Sequence, residues 1–399
     1  MREEMERQPL ETLVHVHDLE RDFDAIMTCR RRYRQDISRD TVHFGEPEWL
    51  RQWSFGDGSV VRFVSAEQGG QIVGMIPFVE MDFPLECRVG PWELGAVPFK
   101  RLRLLGGAPE FPAPLSTRGD LLAGIVRAMG RSDGVYLECL RTDSWLWRHV
   151  TETDRLRGVF KLHCLRGPVR RPFVRVDGSF KEYMGKFSAK TRETWRRKAR
   201  HLQREGDVRL VAVRSPEEVD RFLDAAMEVS RKTYQFSDLG LGLRHRERLE
   251  NRMRLAAQRG WLRSYLLQCG PHTTCFMVGY QAGGRFYYAD VGYDPAWSRF
   301  GAGTTLLLQV IEDLFERARP DTMNFGVGGE YKWHFANDSY EEVDALLVRR
   351  RPYPLLAATV HGLCGWVSGR GARAVETLGR FGLRPLRARA AREERPVGA

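Results

Sequence analysis

The sequence predicts an α/β protein, more closely an α+β mixed sheet, built as two similar units in tandem. Three observations lead there. At 399 residues the chain is too long for one small core. The order helix, helix, strands, helix, strand occurs twice along it. Between the two passages, from Pro168 to Val176, lies a stretch that looks like a connector. The expected division is an N-terminal extension over 1–20, a first unit over 21–170, a second over 171–350 and a basic helical tail over 351–399.

The elements follow in order. A helix is expected near Phe23 to Ile37, and "EPEWLRQW" starts another. "SVVRFVSAEQ" and "QIVGMIPFVEM" are apolar strand-like runs separated by Gly69-Gly70, which reads as a hairpin. A Pro/Gly-rich passage from Val97 to Pro114 precedes a helix at Gly119 to Met129 and the buried strand "GVYLECL". The second unit opens on "KFSAKTRETWRRKARHLQREG", where Phe187, Thr191, Trp195, Ala199 and Leu202 form an amphipathic stripe. "VRLVAV", a helix at Pro216 to Tyr234, a helix near Arg244 to Arg259, the strands "WLRSYLLQ", "TTCFMVGYQ" and "GRFYYADVGY", a helix at Gly303 to Arg317 and the strand "TMNFGV" complete it. In the tail, Leu355, Leu356, Thr359, Val360, Leu363, Trp366 and Val367 form a helical apolar stripe expected to dock on the second unit, the alternative being a basic helix lying on an anionic membrane or carrier protein.

Composition narrows the function classes. Hydrophobic residues make up 42% and aromatic residues 11%, as in a globular protein. The seven cysteines are scattered without a Cys-x-x-Cys pair, so reduced thiols are expected rather than a disulfide framework or zinc site. "MREEMERQPLETL" lacks the apolar run of a secretory signal, and Pro352 to Gly369 is too short and polar for a membrane span. A cytoplasmic protein without a transmembrane segment is the expectation. The net charge of +11 points to an acidic partner. Its excess is concentrated in the tail and in the helix 186–204, where Lys190, Arg192, Arg196, Arg197, Arg200 and Arg204 surround the apolar stripe. That face is either simply solvated or a surface for phosphates: a coenzyme, an acidic carrier protein or RNA.

Two segments carry candidate chemistry. In "YYADVGYDPAWSRFGAGTTLLLQVIEDL" a strand gives way, through Asp294-Pro295 and Gly301-Ala302-Gly303, to an apolar-periodic helix beginning with Thr304 and Thr305. Free amides and the positive end of a helix dipole suit a pyrophosphate or carboxylate there. The run has neither the Gly-Lys-Ser/Thr of a P-loop nor the spacing of a dinucleotide fingerprint. In "NFGVGGEYKWHF" three glycines lead into Glu330, Tyr331, Lys332 and His334. A nucleophilic enzyme fits poorly, since no Gly-x-Ser-x-Gly elbow is present and His163-Cys164 falls in the stretch that leads into the apparent connector.

"GYDPAWSRFGAGTTLLLQVIEDL" followed by "MNFGVGGEYKWHF" resembles the C-terminal half of the CelD/BcsL-like branch of the GNAT acyltransferases. "FSAKTRETWRRKARHLQREG" resembles the basic helix opening that half, and "FGEPEWLRQW...GGQIVGMIPF" looks like its first half. The resemblance implies two GNAT-like domains in tandem, distantly Fem-like, and acyl transfer to an amine. It implies Lys332 as oxyanion stabiliser and Tyr331 as proton donor to a departing thiolate. Asp290, Asp294, Glu330 and His334 are candidate acceptors of the amine proton. Arg299, Gly301, Gly303 and Thr304 would hold the donor. Two positions depart from the pattern: Ser298 stands where the coenzyme-binding loop usually starts with Gln or Arg, and Asn324 where an acid is expected.

Three functions compete at this stage. The leading one is an N-acyltransferase using acyl-CoA or an acyl carrier protein as cosubstrate, with no tightly bound cofactor and an amine on a sugar, amino acid or peptide as acceptor. The second is a Fem-like transferase using aminoacyl-tRNA, held by the helix 186–204. The third is a non-catalytic component of cell-surface polysaccharide production.

Overall fold

A computed structural model of the chain describes residues 12–32, 46–53, 58–90, 92–105, 122, 125–126, 130, 132–152, 158–233, 236, 242–326 and 329–380. It has the expected class: α/β, with mixed sheets. Among these residues, two compact units form, one from the segments up to Arg170 together with Glu341 onward, the other from Arg171–Tyr340.

The first unit begins with β1 (Thr12–Asp18), α1 (Phe23–Arg32) and α2 (Pro47–Arg51). The hairpin of β2 (Val60–Gln68) and β3 (Gln71–Asp82) follows, turning at Gly69-Gly70 as expected. Both glycines have positive φ, which a residue with a Cβ rarely adopts. A small hairpin, β4 (Leu85–Val89) and β5 (Trp92–Val97), leads to β6 (Lys100–Leu104). The helix expected at Gly119 to Met129 lies largely outside the described residues. Next come β7 (Gly134–Arg141), paired in parallel with β6, and α3 (Trp145–Glu152). One sheet face buries Val64, Phe78, Leu102 and Leu137, each worth about 1.5–3 kcal/mol of removed apolar surface.

The expected connector at Pro168 to Val176 is instead part of a 16-residue strand, β8 (Phe160–Arg175). Its basic, largely exposed side chains hide the strand from an apolar count. The second unit then adds α4 (Phe180–Gly185), the basic α5 (Ala189–Glu205), β9 (Val208–Val213), α6 (Val219–Arg231) and α7 (Arg246–Gln258). Three antiparallel strands follow: β10 (Ser264–Cys269), β11 (His272–Ala282) and β12 (Arg285–Tyr293). A 3-10 turn (Pro295–Phe300) leads into α8 (Ala302–Asp313), then β13 (Thr322–Asn324) and the short α9 (Tyr331–Phe335). Within this unit the order is the end of β8, then β13, β12, β11, β10 and β9, with β12 and β13 the parallel pair. Parallel neighbours require a crossover, which α8 supplies. Its Leu306, Val310 and Leu314 region packs with Tyr265, Phe286 and Phe325 into one buried cluster.

The chain then returns to the first unit. In β14 (Asp338–Arg349), Val343 to Val348 pair with β7, and α10 (Pro352–Arg380) covers the second face of that sheet. The sequence division put 341–350 with the second unit, because strand pairing across some 200 residues leaves no local signal. The expected docking of the tail stripe is reversed as well. Ala357 and Ala358 pack on Leu346 and Val348, whereas Leu356, Val360, Leu363, Trp366 and Val367 face solvent. β1 likewise lies in what reads as an N-terminal extension; its alternating Val and His side chains belong to an edge strand paired with β2.

Candidate functional site

The second unit is built around a strand pair that parts early. β12 and β13 run side by side for three residues only, Arg285 with Thr322, Phe286 with Met323 and Tyr287 with Asn324. Asn324 ends the ladder. Its Oδ1 accepts from the Gly326 amide at 2.8 Å, while its Nδ2 donates to the Tyr340 hydroxyl at 3.3 Å. The amide serves this turn on both sides, which explains an Asn where an acid is expected. Gly326 has φ +65° and turns the chain away from β12.

Gly329 is needed more strictly. Its φ is +81°, and a Cβ there would stand 2.8 Å from Tyr331 Cε1 and 3.4 Å from Lys332 Cε. The absence of that one carbon lets Tyr331 and Lys332 fold back over the turn.

Lys332 is 7% exposed and donates to the Phe325 carbonyl at 2.7 Å, with its Nζ 5.6 Å from the centre of the Tyr288 ring. Burial, reinforced by the nearby Arg171, lowers its pKa to about 8. Tyr331 is half exposed, and its hydroxyl lies 2.9 Å from that of buried Tyr288. Burial pushes Tyr288 well above the ordinary tyrosine range, so it stays protonated and available as a donor. Tyr288 is a residue that sequence reasoning missed; the doubled aromatic of "YYADVGY" looks like any strand.

The other candidates are placed differently. Asp290 follows a bulge, because Val278 pairs with Asp290 and Gly279 with Tyr288, leaving Ala289 as the extra residue. The bulge shifts the alternation. Val291 packs with Tyr288 in the α8 cluster, and Asp290 turns to the opposite face, toward Arg252 on α7. Burial raises its pKa, with Arg252 opposing. Asp294 accepts from the Ala296 amide at 3.0 Å and from Lys232 Nζ at 3.0 Å, so it caps the 3-10 turn and anchors it to α6. Glu330 is exposed at the head of α9. His334 is exposed too, its ring set among Phe187, Trp195 and Phe335. The structure therefore brings Tyr331 and Lys332 together with Tyr288 and sets Asp290 and Asp294 apart from them.

Gly301, in the left-handed region at φ +68°, is the N-cap of α8; its carbonyl accepts from the Thr305 amide and hydroxyl. A Cβ on Gly303 would lie 3.5 Å from the Tyr293 ring, Thr304 is half-buried, and exposed Arg299 lies over Phe300. Lys198, on α5, reaches across this turn: its Cδ would be 2.7 Å from a Cβ on Gly301. The charge count of the helix overlooked it among its many neighbours. Not all of those neighbours face outward for a ligand. Arg192 donates to the Met184 and Phe187 carbonyls, and Arg196 and Arg200 pair with Glu193. Lys190, Arg197, Lys198 and Arg204 remain exposed.

α9 is clamped from below. The Tyr183 hydroxyl donates to the Phe335 carbonyl at 2.7 Å, and Lys186 Nζ donates to the Phe335 and Ala336 carbonyls at 2.6 and 2.5 Å. These satisfy carbonyls at the end of a helix too short to satisfy its own.

A parallel strand pair that opens after three rungs, with a crossover helix beginning beside the opening, defines the class as a GNAT-type fold. The family model described as an acetyltransferase (GNAT) domain matches residues 189–335, from the start of α5 to the end of α9. Among solved structures, FemX is similar over 87% of this chain and 100% of its own, at 11% identity and a TM-score of 0.54. A conserved protein of unknown function from Bacteroides thetaiotaomicron is similar over 84% of this chain and 100% of its own, at 11% identity and a TM-score of 0.50. At these identities the likeness is one of fold. No curated protein matches the sequence.

Among the described residues there is no group of three or more His, Cys, Asp or Glu that could hold a metal ion, and all seven cysteines are free thiols. No described helix is long and apolar enough to cross a membrane.

Proposed function

We propose that the protein is an N-acyltransferase that moves an acyl group from a thioester, on coenzyme A or an acyl carrier protein, to an amine. The observation that carries this reading is the hydroxyl pair Tyr288–Tyr331 beside the buried ammonium of Lys332. In the proposed reaction the amine attacks the thioester carbonyl, and Lys332 stabilises the oxyanion that forms. The carbon–sulfur bond then breaks, and Tyr331 gives its proton to the departing thiolate. Tyr288 stabilises the resulting tyrosinate by donating to it. The amine proton leaves to water or to Glu330 or His334, and returns to Tyr331. Asp290 and Asp294 have no part in this scheme. The donor's phosphates would lie at the start of α8, on Gly301, Gly303 and Thr304, with Arg299 and Lys198 as cations.

The exposed cations Lys190, Arg197 and Arg204 favour a second reading, in which aminoacyl-tRNA is the donor and α5 holds its backbone. A ribose oxygen leaves less readily than a thiolate and makes a proton donor at Tyr331 more valuable. Mass spectrometry of the purified protein with acyl-CoA, acyl carrier protein and aminoacyl-tRNA in separate reactions, each with a panel of amines, tests both. Amide formation from thioesters alone supports the first reading. Product only from aminoacyl-tRNA, lost on ribonuclease treatment, replaces it with the second. No product from any donor, with Tyr331→Phe and Lys332→Met leaving the cellular phenotype intact, sinks both and favours a non-catalytic role.

A further inference from the structure

α10 carries apolar side chains on its outer face as well as its inner one. Leu356, Val360, Leu363 and Val367 follow the spacing i, i+4, i+7, i+11, which aligns them along one stripe. They are 62%, 39%, 59% and 38% exposed. Trp366, 51% exposed, flanks the stripe, and the Arg370 guanidinium sits 3.9 Å over its ring. Beside the helix, the β4–β5 hairpin presents Trp92 and Leu94, 70% and 63% exposed. The Ser368 hydroxyl fixes the two elements together, donating to the Arg88 carbonyl and accepting from the Gly90 amide at 2.9 and 3.0 Å. This many exposed large apolar side chains on two elements tied together by hydrogen bonds is unusual for a protein with only water as its neighbour.

The charges around the stripe indicate what covers it. From Ala345 to Val375 the sequence has no Asp or Glu, while Arg349, Arg350 and Arg351 precede α10 and Arg370 and Arg373 lie along it. From Arg370 to the last residue there are eight arginines against three glutamates. An outward Leu/Val stripe, flanking tryptophans and arginines at both ends match a helix lying in the plane of an anionic bilayer surface. There, Trp sits at headgroup depth and Arg reaches the phosphates.

We propose that the first unit docks on anionic lipid bilayers through the outer face of α10, with Trp92 and Leu94 entering beside it. The helix lies on the membrane and does not cross it. This is independent of the donor and acceptor chemistry of the second unit.

Co-sedimentation of the full-length protein with vesicles of phosphatidylcholine alone, and of phosphatidylcholine mixed with phosphatidylglycerol, tests it. The expected result is binding to the mixed vesicles, at least about tenfold weaker to phosphatidylcholine alone and weakened by added salt. The double variant Leu356→Ser/Leu363→Ser should lose about tenfold or more of that binding with an unchanged melting temperature, since both side chains already face water. Arg370→Glu should weaken binding to mixed vesicles only. Absence of vesicle binding, or binding that Leu356→Ser/Leu363→Ser leaves intact, overturns the proposal. So does a concentration-dependent dimer abolished by the same variant, which would show a second copy covering the stripe.

Discussion

The hydroxyls of Tyr288 and Tyr331 lie 2.9 Å apart, one buried under α8 and the other at the surface of α9. The phenol proposed to lose a proton is thereby tied to one that burial keeps protonated. In the proposed scheme the outer phenol acts on the leaving group and the inner one steadies it. Tyr331→Phe should therefore lower kcat by about a hundredfold with little change in KM. Tyr288→Phe should cost less, about tenfold, and the double variant no more than Tyr331→Phe alone. Steady-state kinetics on the best thioester–amine pair measure all three. Equal, additive losses would refute the arrangement of one acting and one positioning phenol.

Lys332 makes a prediction about stability as well as rate. Its pKa is about 8 in the folded protein against about 10.5 unfolded, so below pH 8 the folded state carries the full penalty of burying the charge. The shift corresponds to roughly 3 kcal/mol net, the hydrogen bond to Phe325 being part of the folded-state environment that sets it. Unfolding is then coupled to proton uptake between pH 8 and 10.5, and the penalty fades as pH rises through that window. Lys332→Met should be no less stable than the parent at pH 7, and its advantage should shrink toward pH 10. Urea titrations at several pH values check this. A loss of several kcal/mol at pH 7 would count against the burial argument.

The same value shapes the rate. A cationic oxyanion stabiliser is lost as Lys332 deprotonates, so kcat/KM should fall above pH 8, a limb absent from the residual activity of Lys332→Met. A rate still rising through pH 9 would point to Lys332 as a base instead.

Gly329→Ala forces a side chain into positive φ and against the Tyr331 ring. A cost of about 1–3 kcal/mol is expected, together with a fall in kcat as Tyr331 is displaced. Gly326→Ala shares the unfavourable φ but has only the Tyr288 carbonyl at 4.0 Å nearby. It should cost stability while leaving much more of kcat, and comparison of the two separates backbone strain from displacement of the phenol.

Tyr183 and Lys186 converge on the Phe335 carbonyl. Tyr183→Phe should cost about 1 kcal/mol and Lys186→Met somewhat more. In both, amide exchange across Tyr331–Phe335 should accelerate relative to β11, which hydrogen exchange with peptide resolution would register.

Much of this fold was legible in the residues. The Gly69-Gly70 hairpin, β9 to β12 and the helices between them follow from apolar periodicity and glycine punctuation. β8 was not, because its Lys and Arg side chains leave no apolar run. Nor was the return of β14 to the first unit, a pairing that only the folded chain specifies. The glycine turn marked Glu330, Tyr331, Lys332 and His334 alike, since unusual backbone leaves a mark in composition, and only the family resemblance singled out Lys332 and Tyr331. Tyr288 and Lys198 gave no such mark, their importance depending on what lies opposite them.

The bulge at Ala289 makes β12 a strand with two phases. Upstream, odd and even residues divide between the faces one way; downstream they divide the other way. Pairing Ala289 itself with Val278 would turn the Asp290 carboxyl into the apolar layer beneath α8 and lift Val291 out of it, whereas deleting Ala289 keeps Asp290 opposite Val278 and both phases in place. The strand should therefore accept loss of Ala289 far more readily than loss of a residue from Asp290 to Tyr293, which would exchange the faces of everything after it. A scan of single deletions and substitutions from Arg285 to Tyr293, read by yield of folded protein, would map that asymmetry. The pairing of Tyr288 with Gly279 and of Asp290 with Val278, rather than the extra residue between them, is then what a redesigned version must preserve.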